Sequence, residues 1–213
     1  MRSDLNPRYR SFRNSARRAS VWIALLASTA WLAGCAVAPA PSPEQASARA
    51  DRQQELTRLT RWQAVGRIGV INGQDGWHAN FQWTQQERDY RIDLIGPLGQ
   101  GRVLIRGDGQ QVTIQTQDGQ SQTAPDPDSL LERTLGVRLP VEGLRYWIRG
   151  ASEPGPIAAL QTDASGRLLR LEQKGWILEY PAYSPSASPA LPTRIVARRQ
   201  DLSVKLVIDQ WTL

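Results

Sequence analysis

Cys35 is the single cysteine of this 213-residue chain, and its surroundings suit acylation of its thiol. Small residues precede it in the tetrapeptide Leu32-Ala33-Gly34-Cys35, and an apolar run over residues 21–33 follows several arginines. A basic segment, an apolar segment and small residues that end at a cysteine are typical of a bacterial lipoprotein signal. We therefore predict that residues 1–34 are cleaved as a signal peptide and that Cys35 carries a lipid anchor.

The segment up to Cys35 has two alternative interpretations, a transmembrane helix and an ordinary secretory signal. A transmembrane helix needs about 20 apolar residues, and the run over 21–33 is too short for one. A cleaved secretory signal followed by a buried or reactive cysteine also fits, but only a lipobox explains why the cysteine stands at the cleavage site. A lone cysteine excludes an intrachain disulfide framework and a cysteine-based metal cluster.

The charge of the chain is concentrated in the predicted signal. Residues 1–34 hold six Arg and one Asp, so that the net charge of +6 falls to about +1 once they are removed. This balance does not favour nucleic-acid binding, and it indicates that the membrane is reached through lipid rather than through a polybasic patch. Residues 35–47, rich in Pro and Ala, predict the anchor and a flexible tether, and residues 48–213 suit one domain.

Apolar and polar residues alternate through much of that domain, for example at Trp77, Ala79, Phe81 and Trp83. A period of two is typical of half-buried strands, and the short turns between them favour antiparallel neighbours. Helical patterns occur over residues 48–61, and again after the sixth strand over 126–136 and 141–149. We predict a mainly β fold, an open antiparallel β-barrel of about 11 strands with short helices closing its mouth.

Residues that could perform catalysis are scarce. His78, the single histidine, lies on the polar side of a predicted strand, where a solvated surface position is expected. The sequence has neither a Gly-x-Ser-x-Gly nucleophile motif nor a phosphate-binding loop. The sequence does not exclude a pair of catalytic carboxylates. The acidic residues are scattered over turns and polar faces, where surface charge is the expected role. We predict a binding protein with no catalytic residues, no metal and no cofactor.

Three segments resemble the LolB family of outer-membrane lipoprotein receptors. They are Phe81-Gln82-Trp83 with residues 90–99, residues 139–150, and the final Ile208-Asp209-Gln210-Trp211. The resemblance implies an open barrel with helices over an apolar cavity. It also implies that this cavity receives the acyl chains of a lipoprotein from the periplasmic carrier LolA, and that the receptor inserts the lipoprotein into the inner leaflet of the outer membrane.

Two groups of site residues are predicted, the first with the help of this resemblance and the second from the apolar parity of the strands and the helix. One is a membrane-delivery loop, Gly96, Pro97, Leu98 and Gly99, in which Leu98 protrudes; the alternative is a leucine packed into the core. The other group is the wall of the acyl-chain cavity, and ordinary core packing is the alternative for each member. The predicted wall residues are Trp83, Ile92, Leu94, Val103, Leu144, Trp147 and Trp176.

The implied location is the outer membrane, with the protein lipid-anchored and facing the periplasm. Ala36 agrees with this address, because it is not the Asp that favours retention in the inner membrane. The expected partners are a LolA-like carrier, acylated lipoprotein cargo and the inner leaflet, and the protein is expected to be a monomer. Two rival functions stay open, a tethered scaffold without lipid cargo and a lipid-acting hydrolase.

Overall fold

The computed structural model describes residues 42–99, 101–185 and 187–213; Cys35 and the predicted signal lie outside the described residues. The described chain contains three α-helices and eleven strands. The helices are α1 (Pro43–Arg58), α2 (Pro127–Leu135) and α3 (Val141–Trp147). The strands are β1 (Arg61–Asn72), β2 (Asp75–Gln86), β3 (Asp89–Ile95), β4 (Arg102–Gly107), β5 (Val112–Thr116), β6 (Ser121–Ala124), β7 (Ala159–Thr162), β8 (Leu168–Gln173), β9 (Trp176–Tyr183), β10 (Pro192–Arg199) and β11 (Leu202–Thr212).

All eleven strands form one antiparallel sheet in the order β6-β5-β4-β3-β2-β1-β11-β10-β9-β8-β7. Strands that are consecutive in the chain are paired except for β6 and β7, and the first strand β1 pairs with the last strand β11. The edge strands β6 and β7 do not pair with each other, and α2 and α3 are inserted between them in the chain. This arrangement confirms the predicted open β-barrel, the strand count and the position of the two helices after the sixth strand.

One face of the sheet carries the hydrophobic core. Side chains such as Ala79, Phe81 and Trp83 on β2 are buried, whereas Asn80 and Gln82 between them are exposed. Because side chains alternate between the two faces of a strand, the same parity runs across the neighbouring strands and produces a continuous apolar interior. The interior is broad, and α2 and α3 supply the apolar side chains that cover part of it.

The first helix begins earlier than predicted. Ser42 caps it, because its hydroxyl accepts the Gln45 N–H at 3.3 Å and the Gln45 side chain accepts the Ser42 N–H at 3.0 Å. Pro43 then occupies the first helical position, where it needs no hydrogen-bond partner. Residues 43–47, which composition assigned to the tether, therefore belong to α1, and the helix ends at Arg58 because β1 starts at Arg61.

Arg149 fixes the end of α1 to the rest of the domain. Arg149 is 4 % exposed, and its guanidinium donates to the carbonyl oxygens of Leu56 and Leu59, at the C-terminal end of that helix. The Leu56 carbonyl also accepts the capping Leu59 N–H at 3.3 Å, and both carbonyls lie at the negative dipole end of the helix, so they suit a buried cation. Burial lowers the pKa of Arg149 to about 10, which leaves the side chain charged at neutral pH.

No helix within the described ranges is both long and apolar enough to cross a bilayer. The described residues from Ser42 to Leu213 form one compact unit with its own hydrophobic core. A segment of this kind is expected to fold without the residues that precede it.

Gly66 provides a test of the sheet closure between β1 and β11. A Cβ at this position would lie 2.1 Å from the carbonyl oxygen of Val207, where the β1–β11 register also shifts. We expect Gly66→Ala to lower the free energy of unfolding by about 2–3 kcal/mol, since the two backbones would have to separate.

The matched control is Gly69→Ala on the same strand, where no heavy atom lies within 4 Å of the added Cβ. Urea denaturation of both variants should show a loss for Gly66→Ala alone. Equal losses would mean that the close approach of the strands is not the cause.

Candidate functional site

An entirely apolar cavity lies between the concave face of the sheet and the helices that cover it. The void enclosed in this conformation is about 60 Å³. Strands β1 to β4 and β11 supply the lower wall, through the interior parity described above. Trp77, Trp83, Ile92 and Leu94 are among the side chains that line this wall.

The upper wall comes from the segment between β6 and β7. Leu131 and Leu135 point into the cavity from α2, since a spacing of four places them on one helix face. Val141, Leu144 and Ile148 do so from α3 and its end. Asp126 begins α2 by accepting the Asp128 N–H at 3.1 Å, and Gly136 ends it in the left-handed region with φ 71°.

Four of the predicted wall residues line this cavity, namely Trp83, Ile92, Leu94 and Leu144. Val103 instead lines a neighbouring open cavity of about 420 Å³ at the base of the loop that follows β3. Trp77, Leu94 and Leu135 line both cavities, so they form the boundary between the two. Within the described residues, only these three apolar side chains are shared by the enclosed cavity and the open cavity beside the predicted delivery loop.

The prediction for Trp147 and Trp176 is corrected by the structure. Both are buried, but their rings pack against each other, 6.2 Å apart between centroids, and neither lines the cavity. The Trp147 indole N–H donates to Gln173 Oε1 at 3.0 Å, and that amide is itself 1 % exposed. A buried polar partner draws the Trp147 ring away from the apolar void, and sequence periodicity gives no signal for it.

Hydrogen bonds join the covering helices to each other and to the sheet, where the Tyr180 hydroxyl donates to the Trp147 carbonyl at 3.1 Å in addition to the Trp147–Gln173 bond. The Asp128 carboxylate accepts the Val141 N–H at 3.1 Å, which joins the start of α2 to the start of α3. Burial raises the pKa of Asp128. The Asn72 side chain donates to the Gly136 carbonyl at 3.2 Å, and this exposed contact ties the end of α2 to the β1–β2 hairpin. We define residues 127–148 as the lid.

Leu98 is 98 % exposed at the tip of the loop between β3 and β4. It sits in a single 3-10 turn, Pro97–Gly99, with φ 56° and ψ 21°, a left-handed conformation unusual for leucine. The loop is closed at its base by a bond of 2.9 Å from the Gly96 N–H to the Gly101 carbonyl. The predicted exposure is therefore confirmed, and the alternative of a leucine packed into the core is wrong.

An exposed apolar side chain in this backbone conformation gives no folding advantage. A left-handed residue other than glycine costs about 1–3 kcal/mol, and such strain is concentrated at functional positions. We therefore treat the segment Gly96–Gly99, with Leu98 at its tip, as part of the site; we call it the Leu98 loop.

An ion-pair cluster holds the base of the Leu98 loop on the outer face of the sheet. Asp93 accepts hydrogen bonds from Arg102, including one of 2.8 Å from Nε, and a longer one of 3.4 Å from Arg91. The hydrogen bond from Arg102 lowers the pKa of Asp93, and this outweighs the opposing effect of its burial. Because Arg102 is the first residue of β4, the pair connects the two strands where the loop leaves them.

His78 lies on the outer face and is exposed, as predicted. No group of three or more potential metal ligands occurs within the residues that the structure describes. The chemistry of the site is therefore that of apolar surface: an interior cavity, an open cavity beside it and one protruding leucine.

Comparison with solved structures defines the class of fold. The structure of a LolA superfamily protein from Nitrosomonas europaea aligns with a TM-score of 0.52 at 10 % sequence identity, over 78 % of this chain and 93 % of that one. The two chains thus share a fold, which in this chain is a curved antiparallel sheet with helices on its concave side.

Sequence comparison narrows the class to a family. The model described as "Outer membrane lipoprotein LolB" matches residues 60–211. The outer-membrane lipoprotein LolB of Alkalilimnicola ehrlichii is 35 % identical over 92 % of this chain and 98 % of its own length. That of Nitrosococcus oceani is 36 % identical over 89 % and 96 %. The chain belongs to the LolB family, which confirms the predicted family and the predicted class of lipid-anchored outer-membrane lipoproteins.

Asp93→Asn tests the ion-pair cluster at the loop base. A carboxyl whose folded pKa is lowered contributes stability above its ordinary pKa, and this contribution is lost as the pH falls through the lowered value. At neutral pH we expect the variant to be less stable by about 1 kcal/mol, a small effect because Arg102 is half-exposed.

The difference in free energy of unfolding between the two proteins should shrink toward zero as the pH falls below 3.8, the ordinary pKa of Asp93. Urea denaturation at a series of pH values measures it. A difference that does not depend on pH would mean that the charge of Asp93 is not involved.

Proposed function

We propose that this protein receives the acyl chains of lipoproteins from a LolA-like periplasmic carrier and inserts those lipoproteins into the inner leaflet of the outer membrane. The observation that carries the proposal is the apolar cavity under the lid, which shares a wall with the open cavity at the Leu98 loop. Family membership supports a role in lipoprotein localisation. The protein acts as a monomer in this proposal and performs no covalent chemistry.

Cargo binding in this proposal requires the lid to move. Ligand cavities are commonly about 300–1,000 Å³, and the enclosed void of about 60 Å³ is far below that range. The lid can swing about its C-terminal end, where buried hydrogen bonds hold Trp147, because Asp128 joins α2 to α3 and the exposed Asn72–Gly136 bond at the end of α2 is cheap to break. In the closed state the leucines of the lid pack against Ile92 and Leu94 and keep the cavity free of water. An acyl chain that enters takes the place of those lid leucines.

Transfer can run without an energy source because the chain never enters water. Each methylene exposed to water costs about 0.8 kcal/mol, so an acyl chain follows a continuous apolar path. We propose that this path leads from the enclosed cavity past Trp77, Leu94 and Leu135 to the open cavity and then to the Leu98 loop. These three residues, which line both cavities, would then form the gate between the cavity that accepts the acyl chain and the loop that delivers it.

In this proposal Leu98 contacts the bilayer during delivery of the lipoprotein, and the lipid on Cys35 anchors the protein to the membrane. Burial of one leucine contributes about 1.5–3 kcal/mol, which is too little to hold a protein at a membrane but enough for a brief contact with lipid. The lipid on Cys35 would hold the domain near the bilayer. A tethered scaffold without cargo would not need an apolar cavity beside an exposed leucine, so the arrangement favours transfer over that alternative.

Leu98→Glu separates delivery from acceptance. We expect the soluble chain 36–213 with this change to accept lipoprotein normally and to insert it into liposomes at least about tenfold more slowly, because a charged side chain cannot enter the bilayer. The assay follows transfer of a preloaded lipoprotein to liposomes.

Leu169→Glu is the matched control, since Leu169 is also exposed, at 46 %, but lies on β8 away from the loop. It should deliver at the wild-type rate. Unchanged delivery by Leu98→Glu would contradict the proposed role of the loop.

Leu135→Gln tests the proposed gate. An amide placed among apolar side chains costs about 1–3 kcal/mol, so we expect about tenfold weaker uptake of lipoprotein from the carrier. Arg133→Gln changes an exposed residue of the same helix and should leave uptake unchanged. Uptake is measured as the fraction of cargo transferred at equilibrium, with thermal unfolding as a check of folding. Equal uptake by both variants would contradict the gate.

A further inference from the structure

A band of basic residues crosses the outer face of the sheet beside the Leu98 loop. Strand pairing aligns one residue from each of six strands in a single row, and the row passes from β10 to β4. Its members are Arg194, Val207, Arg67, Asn80, Ile95 and Arg102. All but the half-buried Val207 are exposed.

A groove of about 240 Å³ lies on this face, directly beside the loop. Gly69 forms its floor, where the missing side chain leaves backbone accessible, and no heavy atom lies within 4 Å of a Cβ built there. Lys205 and His78 flank Gly69 as its partners on either side. Pro97 completes the wall, so the groove adjoins the residue that precedes Leu98.

The charges on this face do not cancel. Asp209 pairs with Arg67 at 3.0 Å, and Asp93 pairs with Arg102. Lys205 and Arg194 have no acidic partner among the residues that the structure describes. Lys205 and Arg194 are therefore two uncompensated cations at the groove and in the row beside it, on the face that also presents Leu98.

We propose that this groove binds the phosphate of an anionic phospholipid headgroup while Leu98 contacts the same bilayer. The choice of occupant follows from charge complementarity and from position, since an apolar side chain flanked by Lys and Arg is the arrangement that holds a protein at an anionic lipid surface. A lipid on a tethered cysteine keeps the domain nearby but cannot set its orientation. The groove and the loop together fix which side of the barrel faces the membrane.

This inference rests on the proposed function only in assuming that Leu98 meets a bilayer, and it does not involve cargo. The test uses the soluble chain 36–213 without cargo. Its partitioning is measured by co-sedimentation at low salt with vesicles of phosphatidylglycerol and phosphatidylcholine, and with vesicles of phosphatidylcholine alone. We expect tighter binding to the anionic vesicles, and loss of that preference as salt is raised, because salt screens exposed charges.

The variant Lys205→Gln/Arg194→Gln removes the two uncompensated cations. With about a fivefold effect for each cation, binding to anionic vesicles should fall by about 25-fold, and binding to neutral vesicles should not change. The control Arg88→Gln/Arg106→Gln removes the same charge from exposed residues at the opposite end of β3 and β4 and should lose less than about twofold. Leu98→Glu should weaken binding to both kinds of vesicle.

Equal loss in the two charge variants, or equal binding of the wild-type chain to both vesicles, would overturn the proposal. A groove variant that keeps its vesicle binding but takes less cargo from the carrier would also overturn it, by assigning the groove to a protein partner. Failure of wild-type protein to accept cargo at all would count against the proposed function and leave the vesicle result standing.

Discussion

The interior of this protein depends on one constraint: the broad apolar face of a single curved sheet has to be covered although the sheet does not close on itself. β6 and β7 do not pair, so strand pairing cannot complete the barrel. The lid covers part of the opening with leucines and isoleucine instead of hydrogen-bonded backbone. Apolar contact is not directional, whereas a strand ladder is. A part of the wall that is held mainly by apolar contact can therefore open without unfolding the sheet.

The positions of the polar groups agree with that division between fixed and movable parts. Arg149 fixes α1 through buried hydrogen bonds to backbone, and Asp93 with its arginines fixes the base of the Leu98 loop. The lid is tied to the β1–β2 hairpin by an exposed hydrogen bond from Asn72 at the end of α2, and its C-terminal end is held by the buried hydrogen bonds of Trp147. Buried polar contacts are costly to break and exposed ones are not, so the mobility of the lid is concentrated at α2, over the cavity.

The outer face shows why overall charge is a poor guide to local electrostatics. Composition placed the chain beyond residue 34 near +1 and indicated no basic patch. The sheet nevertheless aligns Arg194, Arg67 and Arg102 in one row although they are far apart in sequence. Asp209 and Asp93 balance Arg67 and Arg102 but leave Arg194 without an acidic partner among the described residues, and the row appears only when six strands are in register.

The sequence by itself determined the lipid anchor motif, the mainly β class, the strand number and the place of the lid helices, because alternation, turns and caps are properties of neighbouring residues. It also identified Leu98 and four cavity residues, through parity and family resemblance. Only the tertiary structure decided that Leu98 is exposed, that Trp147 and Trp176 pack on each other, and that Arg149 meets Leu56 across 93 residues of sequence. Those contacts depend on register and closure, which join distant segments and leave no periodic signal in the chain.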